Sequence, residues 1–263
     1  MNARVVTSLS NPTVKAVRAL HLRKTREASG LFLAEGLKIV TEAVELGRAP
    51  EVLMFSHDAG GHPLLERAIQ ATLAAEGEVI EVTRDILEKI SKRENPQTVI
   101  GVFPQSYAEL AELTPASAPC WVALQQVRDP GNLGTVIRTA DAAGCGGVIL
   151  VGDCCDPYSV EAVRATMGSI FAVRLARCSV EQFLTFRHGW PGSVVGTLLS
   201  ATTDYRKADY RKPCLILMGN EQQGLPPELA DACDVAVKIP MRGRADSLNL
   251  SVATGIMIYA ATG

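Results

Sequence analysis

Along the chain, short apolar runs that are typical of β-strands alternate with segments that have the apolar periodicity of amphipathic helices. In the first hundred or so residues, strands are predicted for "LFLAEG", "EVLMFS", "EVIEV" and "QTVIGVF". The segments "NPTVKAVRALHLRKTR", "LKIVTEAVELG", "PLLERAIQATLAAEG" and "RDILEKISKRE" have the apolar spacing of amphipathic helices. This half of the chain is therefore predicted to form a small mixed sheet with helical layers.

The alternation continues in the second half of the chain. Strands are predicted at 121–127, 147–151, 170–175, 193–199, 214–218 and 234–239, and helices at 134–143, 160–167, 179–187, 226–231 and 248–261. A sheet of parallel strands joined by crossover helices is the simplest fold that accounts for this alternation. A stretch rich in Pro, Ala and Ser, "PQSYAELAELTPASAPC", separates the halves. We therefore predict an α/β protein with domains at 1–105 and 120–263 and a linker at 106–119.

Composition is that of a globular protein, and the net charge of −2 does not by itself indicate a nucleic-acid partner. The charge is unevenly distributed, however. Six cations precede the first acidic residue, Glu27: Arg4, Lys15, Arg18, Arg23, Lys24 and Arg26. A basic leading segment attracts phosphate, although a solvated helix face explains the same pattern. We take Arg23, Lys24 and Arg26 as candidate phosphate contacts.

The seven cysteines are odd in number and form no C-x-x-C pair. This usage is typical of reduced thiols in a cytoplasmic protein, and we expect no metal site. The N-terminus lacks the apolar core of a signal peptide, and no apolar run is long enough to span a bilayer. We therefore expect no membrane partner.

Three glycine-bearing loops follow predicted strands, at 129–134, 219–224 and 241–247. Ligands gather at such positions in parallel sheets. The first loop has the spacing G-x-x-G, and the later "GCGG" lies after a helix and before a strand, so neither is a dinucleotide fingerprint. No Gly-Lys-Ser/Thr is present, which excludes a Walker loop. A nucleotide-dependent oxidoreductase is thereby disfavoured.

The polar residues of these loops form a set without His or Cys, which argues against Ser-His hydrolysis and thiol catalysis. Arg138, on the helix after the first loop, either forms a salt bridge to Glu221 or Asp246 or captures a phosphate or developing oxyanion. Asn132 is expected to cap helix 134–143, and Ser247 is a possible cap of the last helix.

Three segments resemble, in order, the signature motifs of the SpoU (TrmH) family of RNA ribose 2′-O-methyltransferases in the SPOUT superfamily. They are "DPGNLGTVIRTADAAG", "LMGNEQQGL" and "IPMRGRADSLNLSVATG", and they cover about the last 140 residues. The leading "SLSNPTVKAVRALHLRKTREASGLFLAEG" is similar to the substrate-binding domain of many members. That domain resembles a ribosomal-protein-like α/β/α sandwich and is tied to ribosomal RNA.

This resemblance implies a C-terminal, mostly parallel sheet with a deep trefoil knot, a rare exception to unknotted topology. It implies S-adenosylmethionine as cofactor, bound at the positions that match here, Gly219, Ile239 and Leu248. It also implies a homodimer, to which the apolar C-terminal helix "LNLSVATGIMIYAATG" would contribute.

The family's catalytic positions fall on Arg138, with Asn132, Glu221, Ser247 and Asn249 around it. Because a guanidinium is not deprotonated in proteins, Arg138 would pin an RNA phosphate and stabilise the emerging alkoxide rather than act as a base. Asn132 and Asn249 would orient the ribose or Arg138, while Glu221 would fix the loops.

Two departures from the family pattern bear on the substrate. Val160 and Glu161 stand where the family often has Pro-Lys, which removes a cation near the RNA or dimer surface. The chain ends at Gly263, without the C-terminal extension of tRNA-specific members. Together with the N-terminal domain, the missing extension leads us to expect a 23S-type ribosomal RNA substrate, with a tRNA methyltransferase and a non-catalytic RNA-binding or ribosome-assembly protein as alternatives.

Overall fold

A computed structural model of the protein describes residues 3–263. The strands are β1 (Arg4–Val6), β2 (Leu31–Glu35), β3 (Val52–Ser56), β4 (Glu78–Val82), β5 (Val99–Pro104), β6 (Cys120–Gln125), β7 (Val148–Val151), β8 (Leu175–Cys178), β9 (Val194–Thr197), β10 (Thr203–Asp204), β11 (Cys214–Met218) and β12 (Val235–Lys238). The α-helices are α1 (Pro12–Ala19), α2 (Arg23–Ser29), α3 (Leu37–Glu45), α4 (Pro63–Ala74), α5 (Arg84–Ser91), α6 (Pro130–Ala142), α7 (Val160–Thr166), α8 (Val180–His188), α9 (Pro227–Ala230) and α10 (Leu250–Thr262).

The chain divides into two compact units. Unit 1 comprises the described part of Met1–Gln105 together with Tyr158–Phe171, and unit 2 comprises Ser106–Pro157 and Ala172–Gly263. No signal in the sequence predicts that the second, distant segment belongs to unit 1. The limits 1–105, 106–119 and 120–263 stay a prediction.

Unit 1 contains a five-stranded sheet in the order β1-β4-β3-β5-β2, in which β5 runs antiparallel to its neighbours and the other pairs are parallel. A mixed sheet with helices is the predicted arrangement. Val14 and Val17 of α1 and Ile86 and Ile90 of α5 are buried in its core, as their spacing of three to four residues predicts.

The segment predicted as one helix from "NPTVKAVRALHLRKTR" is two helices, α1 and α2. The chain turns between them because Leu22 has an extended backbone conformation while Leu20 is buried in the core. This turn explains the environment of Arg26. Arg26 is only 4% exposed, and its guanidinium donates a hydrogen bond to the Leu20 carbonyl oxygen at 2.7 Å. The expectation of an RNA-phosphate contact by Arg26 is therefore corrected: this cation supports the turn.

We expect Arg26→Ala to lower the free energy of unfolding by about 2 kcal/mol, because it leaves the Leu20 carbonyl without its buried donor. Lys24→Ala, at an exposed position of the same helix, should change it by less than about 0.5 kcal/mol. Urea denaturation of the two variants measures the difference, and equal effects would contradict this role of Arg26.

The segment Tyr158–Phe171 completes the core of unit 1. Helix α7 begins after Ser159, whose hydroxyl accepts from the Ala162 amide. Its Arg164 donates to the Glu35 carboxylate, with Nε to Oε2 at 3.0 Å, and the Glu35 side chain is only 1% exposed. A buried carboxylate requires such a partner, since its desolvation is costly.

The two departures from the family pattern lie at the start of α7. Val160 packs against the core of unit 1, and Glu161 is exposed in the first helical turn. A carboxylate at this end of a helix interacts favourably with the helix dipole. The residues therefore have local structural roles in unit 1.

Unit 2 contains a seven-stranded sheet in the order β10-β12-β9-β11-β6-β7-β8, and all of its neighbouring strands are parallel. The expectation of a mostly parallel C-terminal sheet is confirmed, whereas the trefoil knot stays a prediction. Trp121, Phe183 and Leu217 are among the residues buried in the core on one side of this sheet. No helix within residues 3–263 is long and apolar enough to cross a bilayer.

One predicted strand, at 170–175, is wrong. Ser169–Phe171 is a short 3-10 helix, and the strand of this region, β8, begins only at Leu175. The preceding residues Met167 and Gly168 both have positive φ, 53° and 107°, so the chain turns where an extended start was expected.

Candidate active site

The loops beyond β9, β11 and β12 and the start of α10 enclose a pocket of about 810 Å³ in unit 2. Parallel strands present their carboxyl ends at one edge, which explains why these loops meet. The predicted catalytic and cofactor positions that line this pocket are Asn132, Gly219, Glu221, Ile239, Ser247, Leu248 and Asn249. Arg138 is the one member of the predicted catalytic and cofactor sets that does not line it.

Gly219 builds the loop that follows β11. A Cβ at this position would lie 2.1 Å from the Gly224 carbonyl carbon and 2.3 Å from the Leu225 nitrogen. Only glycine therefore lets the chain fold back on itself here. The fold-back is closed by paired backbone hydrogen bonds between Asn220 and Gly224, at 3.2 and 2.9 Å. The loop that Gly219 closes in this way lines the pocket.

Asn220 anchors this loop and was not among the predicted site residues. Its Nδ2 donates to the Gln126 carbonyl oxygen at 2.9 Å, and its Oδ1 accepts from the Gln222 amide at 2.8 Å. The side chain thus ties the loop to the end of β6. The available signal was an asparagine in the loop after a buried strand, flanked by a glycine on one side and followed by a second glycine four residues later.

A chain of side-chain hydrogen bonds joins the three loops. Asn249 Nδ2 donates to Asn132 Oδ1 at 2.8 Å, and Asn132 Nδ2 donates to Glu221 Oε1 at 3.3 Å. Glu221 Oε2 accepts from the Arg128 backbone amide at 3.4 Å. Because Glu221 holds two loops at once, this geometry supports its expected role in fixing them.

The helix starts at the site differ from those predicted. Helix α6 begins at Pro130, so its cap is Asp129, whose carboxylate accepts from the Asn132 amide at 2.6 Å, and Asn132 is not the cap. Proline is favoured in the first helical turn, which explains the earlier start. Helix α10 is capped by Asn249, whose Oδ1 accepts from the Ser251 amide, and not by Ser247. Since the Asn249 oxygen is occupied, its Nδ2 is the atom that donates to Asn132.

Ser247 and Arg138 are the two predicted catalytic residues outside this chain of hydrogen bonds. Ser247 is exposed at the pocket, with its hydroxyl 3.3 Å from the Asp246 carboxylate. Arg138 is exposed on α6 and has no hydrogen bond or ion pair to any residue that the structure describes. The alternative of a salt bridge to Glu221 or Asp246 is therefore not observed.

The exposed side of α10, which packs beside α6, is apolar. The side chains of Val252 and Tyr259 are 52% and 58% exposed. A second cavity of about 490 Å³ lies along the same helix and is lined by Tyr205, Tyr210, Ile256 and Tyr259, among others. Large apolar surfaces of this kind are typical of protein interfaces.

Thiol chemistry at the site is disfavoured by the protonation of the nearest cysteine. Burial raises the pKa of Cys155 to about 12, and the neighbouring Cys154, Glu221 and Asp129 add to the shift. The thiol is therefore protonated at neutral pH, and a thiol is a far weaker nucleophile than a thiolate.

We expect Glu221→Gln to lower kcat about tenfold for the methyl transfer that the sequence motifs imply. Both carboxylate oxygens of Glu221 accept hydrogen bonds, from the Asn132 side-chain amide and from the Arg128 backbone amide. In the Glu221→Gln variant an NH2 group replaces one of these oxygens and would place a donor opposite a donor, which breaks one end of the chain of hydrogen bonds. Steady-state kinetics measures the effect, with Gln223→Ala, at an exposed pocket residue outside that chain, as the control. Equal kcat values for the two variants would contradict the role of Glu221.

Comparison with known proteins decides the family. Residues 119–259 match the SpoU rRNA Methylase family, and residues 11–101 match the MRM3-like substrate binding domain. The chain belongs to the SpoU rRNA methylase family. The resemblance inferred from the three sequence motifs is thereby confirmed.

Solved structures similar to this chain include some that cover nearly all of it. The structure of an AdoMet-bound rRNA methyltransferase from Sinorhizobium meliloti has a TM-score of 0.93 and 48% identity, over 98% of this chain and 97% of that one. Its coverage includes both units.

Two curated relatives carry specific names. The Bacillus subtilis 23S rRNA (guanosine(2553)-2′-O)-methyltransferase RlmP is 29% identical over 97% of this chain and 97% of its own length. The Streptomyces viridochromogenes 23S rRNA (uridine(2479)-2′-O)-methyltransferase is 31% identical over 98% of this chain and 92% of its own. The two names share a reaction and an RNA, and differ in the nucleotide.

Proposed function

We propose that this protein transfers a methyl group from S-adenosylmethionine to a ribose 2′-hydroxyl of 23S-type ribosomal RNA. The observation that carries the proposal is the pocket at the strand ends, which is lined by the tightly closed loop at Gly219 and by the hydrogen-bonded Asn132, Glu221 and Asn249. The curated relatives named above are 23S rRNA 2′-O-methyltransferases, which favours ribosomal RNA over tRNA and an enzyme over a non-catalytic RNA-binding protein.

The pocket fits S-adenosylmethionine. Its volume of about 810 Å³ is in the range of small-molecule sites. Gly219 lines the pocket within the tightly closed loop after β11, and Ile239 and Leu248 supply apolar contacts. We assign the adenosine to these three residues. When bound, the cofactor supplies an electrophilic sulfonium methyl group.

The chain's own residues would position the ribose and stabilise charge. Asn132 and Asn249 orient the hydroxyl for in-line attack, which contributes much of the barrier reduction in a transfer of this kind. Ser247 offers a further hydrogen bond at the pocket edge. Arg138 stabilises the alkoxide and holds an adjacent RNA phosphate, and that phosphate or a water accepts the proton.

A homodimer would bring Arg138 to a pocket. Within one copy Arg138 lies outside the pocket, exposed and unpaired in the described part of the chain. Its helix, α6, packs against α10, which carries the exposed apolar residues Val252 and Tyr259. We propose that a second copy covers these helices, because an isologous contact there buries the apolar residues of both copies. Arg138 of the partner subunit then serves the pocket.

The remaining RNA contacts are assigned to unit 1. Arg23 and Lys24 are exposed on α2, and we propose that they contact RNA phosphates. An RNA substrate and seven free thiols favour a cytoplasmic location.

The experiment that tests the function is a map of 2′-O-methyl positions in the RNA of cells with and without this protein. We expect one ribose of the large-subunit ribosomal RNA to lose its methyl group in the deletion strain and to regain it when the gene is restored. A methyl group lost from tRNA instead, or an unchanged map, would refute the proposed substrate.

A further inference from the structure

The pocket carries few cations for a site that receives RNA. Its lining contains two carboxylates, Glu221 and Asp246, and one cation, Lys238. A ribose in an RNA strand brings a negative phosphate on each side. Since phosphate contacts supply much of the affinity in protein–nucleic acid complexes, cations beyond Arg138 of the partner subunit have to lie beside the pocket to offset these charges.

Two arginines occupy that position. Residues 239–249, between β12 and α10, contain no helix or strand, and within them Met241 and Asp246 line the pocket. Arg242 and Arg244 lie between these two residues and are exposed. Neither forms a hydrogen bond or ion pair within residues 3–263. The two guanidinium groups are therefore available at the pocket edge.

The glycine between them is not required by the fold. A Cβ at Gly243 would meet nothing within 4 Å, and its φ is outside the left-handed region. Gly219, by contrast, is forced by backbone atoms at 2.1 Å. A glycine that the fold does not require, placed between two unpaired cations, allows the backbone of a ligand to approach closely.

We propose that Arg242, Gly243 and Arg244 bind the phosphates that flank the target ribose in the RNA strand. The inference rests on the proposed RNA 2′-O-methyl transfer and names a part of its substrate site. Arginine suits the task because its planar fork binds a phosphate through two hydrogen bonds. Because phosphates carry no base information, the loop sets the position of the strand and leaves the choice of nucleotide to other contacts.

The test compares the double variant Arg242→Gln/Arg244→Gln with the wild type on in vitro transcribed 23S rRNA. We expect the KM for RNA to rise at least about tenfold at 0.15 M salt, with the S-adenosylmethionine affinity and the Tm unchanged. The slope of log affinity against log salt, measured by filter binding, should become shallower by about 1.4, or roughly 0.7 for each lost single-strand phosphate contact. Arg242→Lys/Arg244→Lys should keep the salt slope and recover part of the affinity.

Two further variants control for general effects. Arg174→Gln removes an exposed cation immediately before β8, at the opposite edge of the seven-stranded sheet, and should leave both KM and salt slope unchanged. Gly243→Leu should fold normally, because there is open space at this position, yet raise the KM for RNA.

Three results would overturn the inference. They are an unchanged KM and salt slope in the Gln pair, the same change in Arg174→Gln, or a loss of S-adenosylmethionine affinity in place of RNA affinity, which would assign the arginines to the cofactor carboxylate. Failure of the proposed function is separate: the wild type would then methylate no ribosomal RNA, while filter binding would still report whether the arginines contact phosphate.

Discussion

Replacing Arg138 by Ala lowers kcat for methyl transfer by about 10²–10³-fold and leaves the affinity for S-adenosylmethionine unchanged. Removing a preorganised group that stabilises a developing oxyanion has an effect of this size. The cofactor should be unaffected, because Arg138 lies outside the pocket of its own copy and pairs with nothing in the described residues.

Single-turnover methylation of 23S rRNA transcript measures the rate, and calorimetry measures the cofactor affinity. Arg138→Lys is the matched control: it keeps the charge but lacks the planar fork, so we expect an intermediate rate. Unchanged turnover in Arg138→Ala would refute the assignment of this residue.

The same variant tests whether Arg138 acts across a dimer. Mixed dimers of Arg138→Ala and Gly219→Ala copies can be purified with two different tags. In such a dimer the Arg138→Ala copy keeps an intact pocket, and its partner, the Gly219→Ala copy, supplies the arginine to that pocket. One of the two sites is then complete, so we expect about half the wild-type rate. Inactive mixed dimers would show that Arg138 serves its own copy.

Replacing Gly219 by Ala abolishes cofactor binding. The added Cβ would lie 2.1 Å from the Gly224 carbonyl carbon and 2.5 Å from the Gly224 oxygen, so the loop after β11 has to move as a whole. We expect the affinity for S-adenosylmethionine to fall at least about 100-fold and the free energy of unfolding to fall by about 1–3 kcal/mol, the range for overpacked sites.

Thermal shift with and without S-adenosylmethionine separates the two effects, since a ligand that binds the native state raises Tm. Gly189→Ala is the matched control, because its nearest neighbour, the Phe186 carbonyl oxygen, would be at an ordinary 3.7 Å. A normal ligand-induced shift in Gly219→Ala would remove this residue from the cofactor site.

The sequence predicts the parts of unit 2 that depend on local pattern. The strand at Cys214–Met218 has the predicted bounds, 214–218, because a continuous apolar run ends at a glycine that cannot be replaced. The loops of the candidate site could also be predicted, since strand ends in a parallel sheet share one edge. The hydrogen-bonding roles of Asn132 and Asn249 within these loops could not be predicted, because capping depends on where each helix begins. Pro130, for example, moves the start of α6 to four residues before the predicted position.

Long-range pairing is what the sequence does not predict. Arg26 reads as one more surface cation until the turn at Leu22 buries it against the Leu20 carbonyl. The partner of Glu35 is 129 residues away, beyond any periodic signal. Arg138 is a different case: the sequence pattern around it predicts a functional cation, whereas within residues 3–263 of one copy it has no hydrogen-bond or ion-pair partner.

The pairing of Glu35 with Arg164 limits how this protein can be divided or recombined. An exchange of genes at the predicted linker, 106–119, would transfer unit 1 without Tyr158–Phe171. The Glu35 carboxylate, whose Oε1 already lacks a hydrogen-bond partner within the described residues, would then be left uncompensated, at a cost of about 3–5 kcal/mol. Unit 1 is thus not a portable module: its folding depends on fourteen residues, Tyr158–Phe171, that lie in sequence between the two segments of unit 2, so unit 1 cannot be exchanged without them.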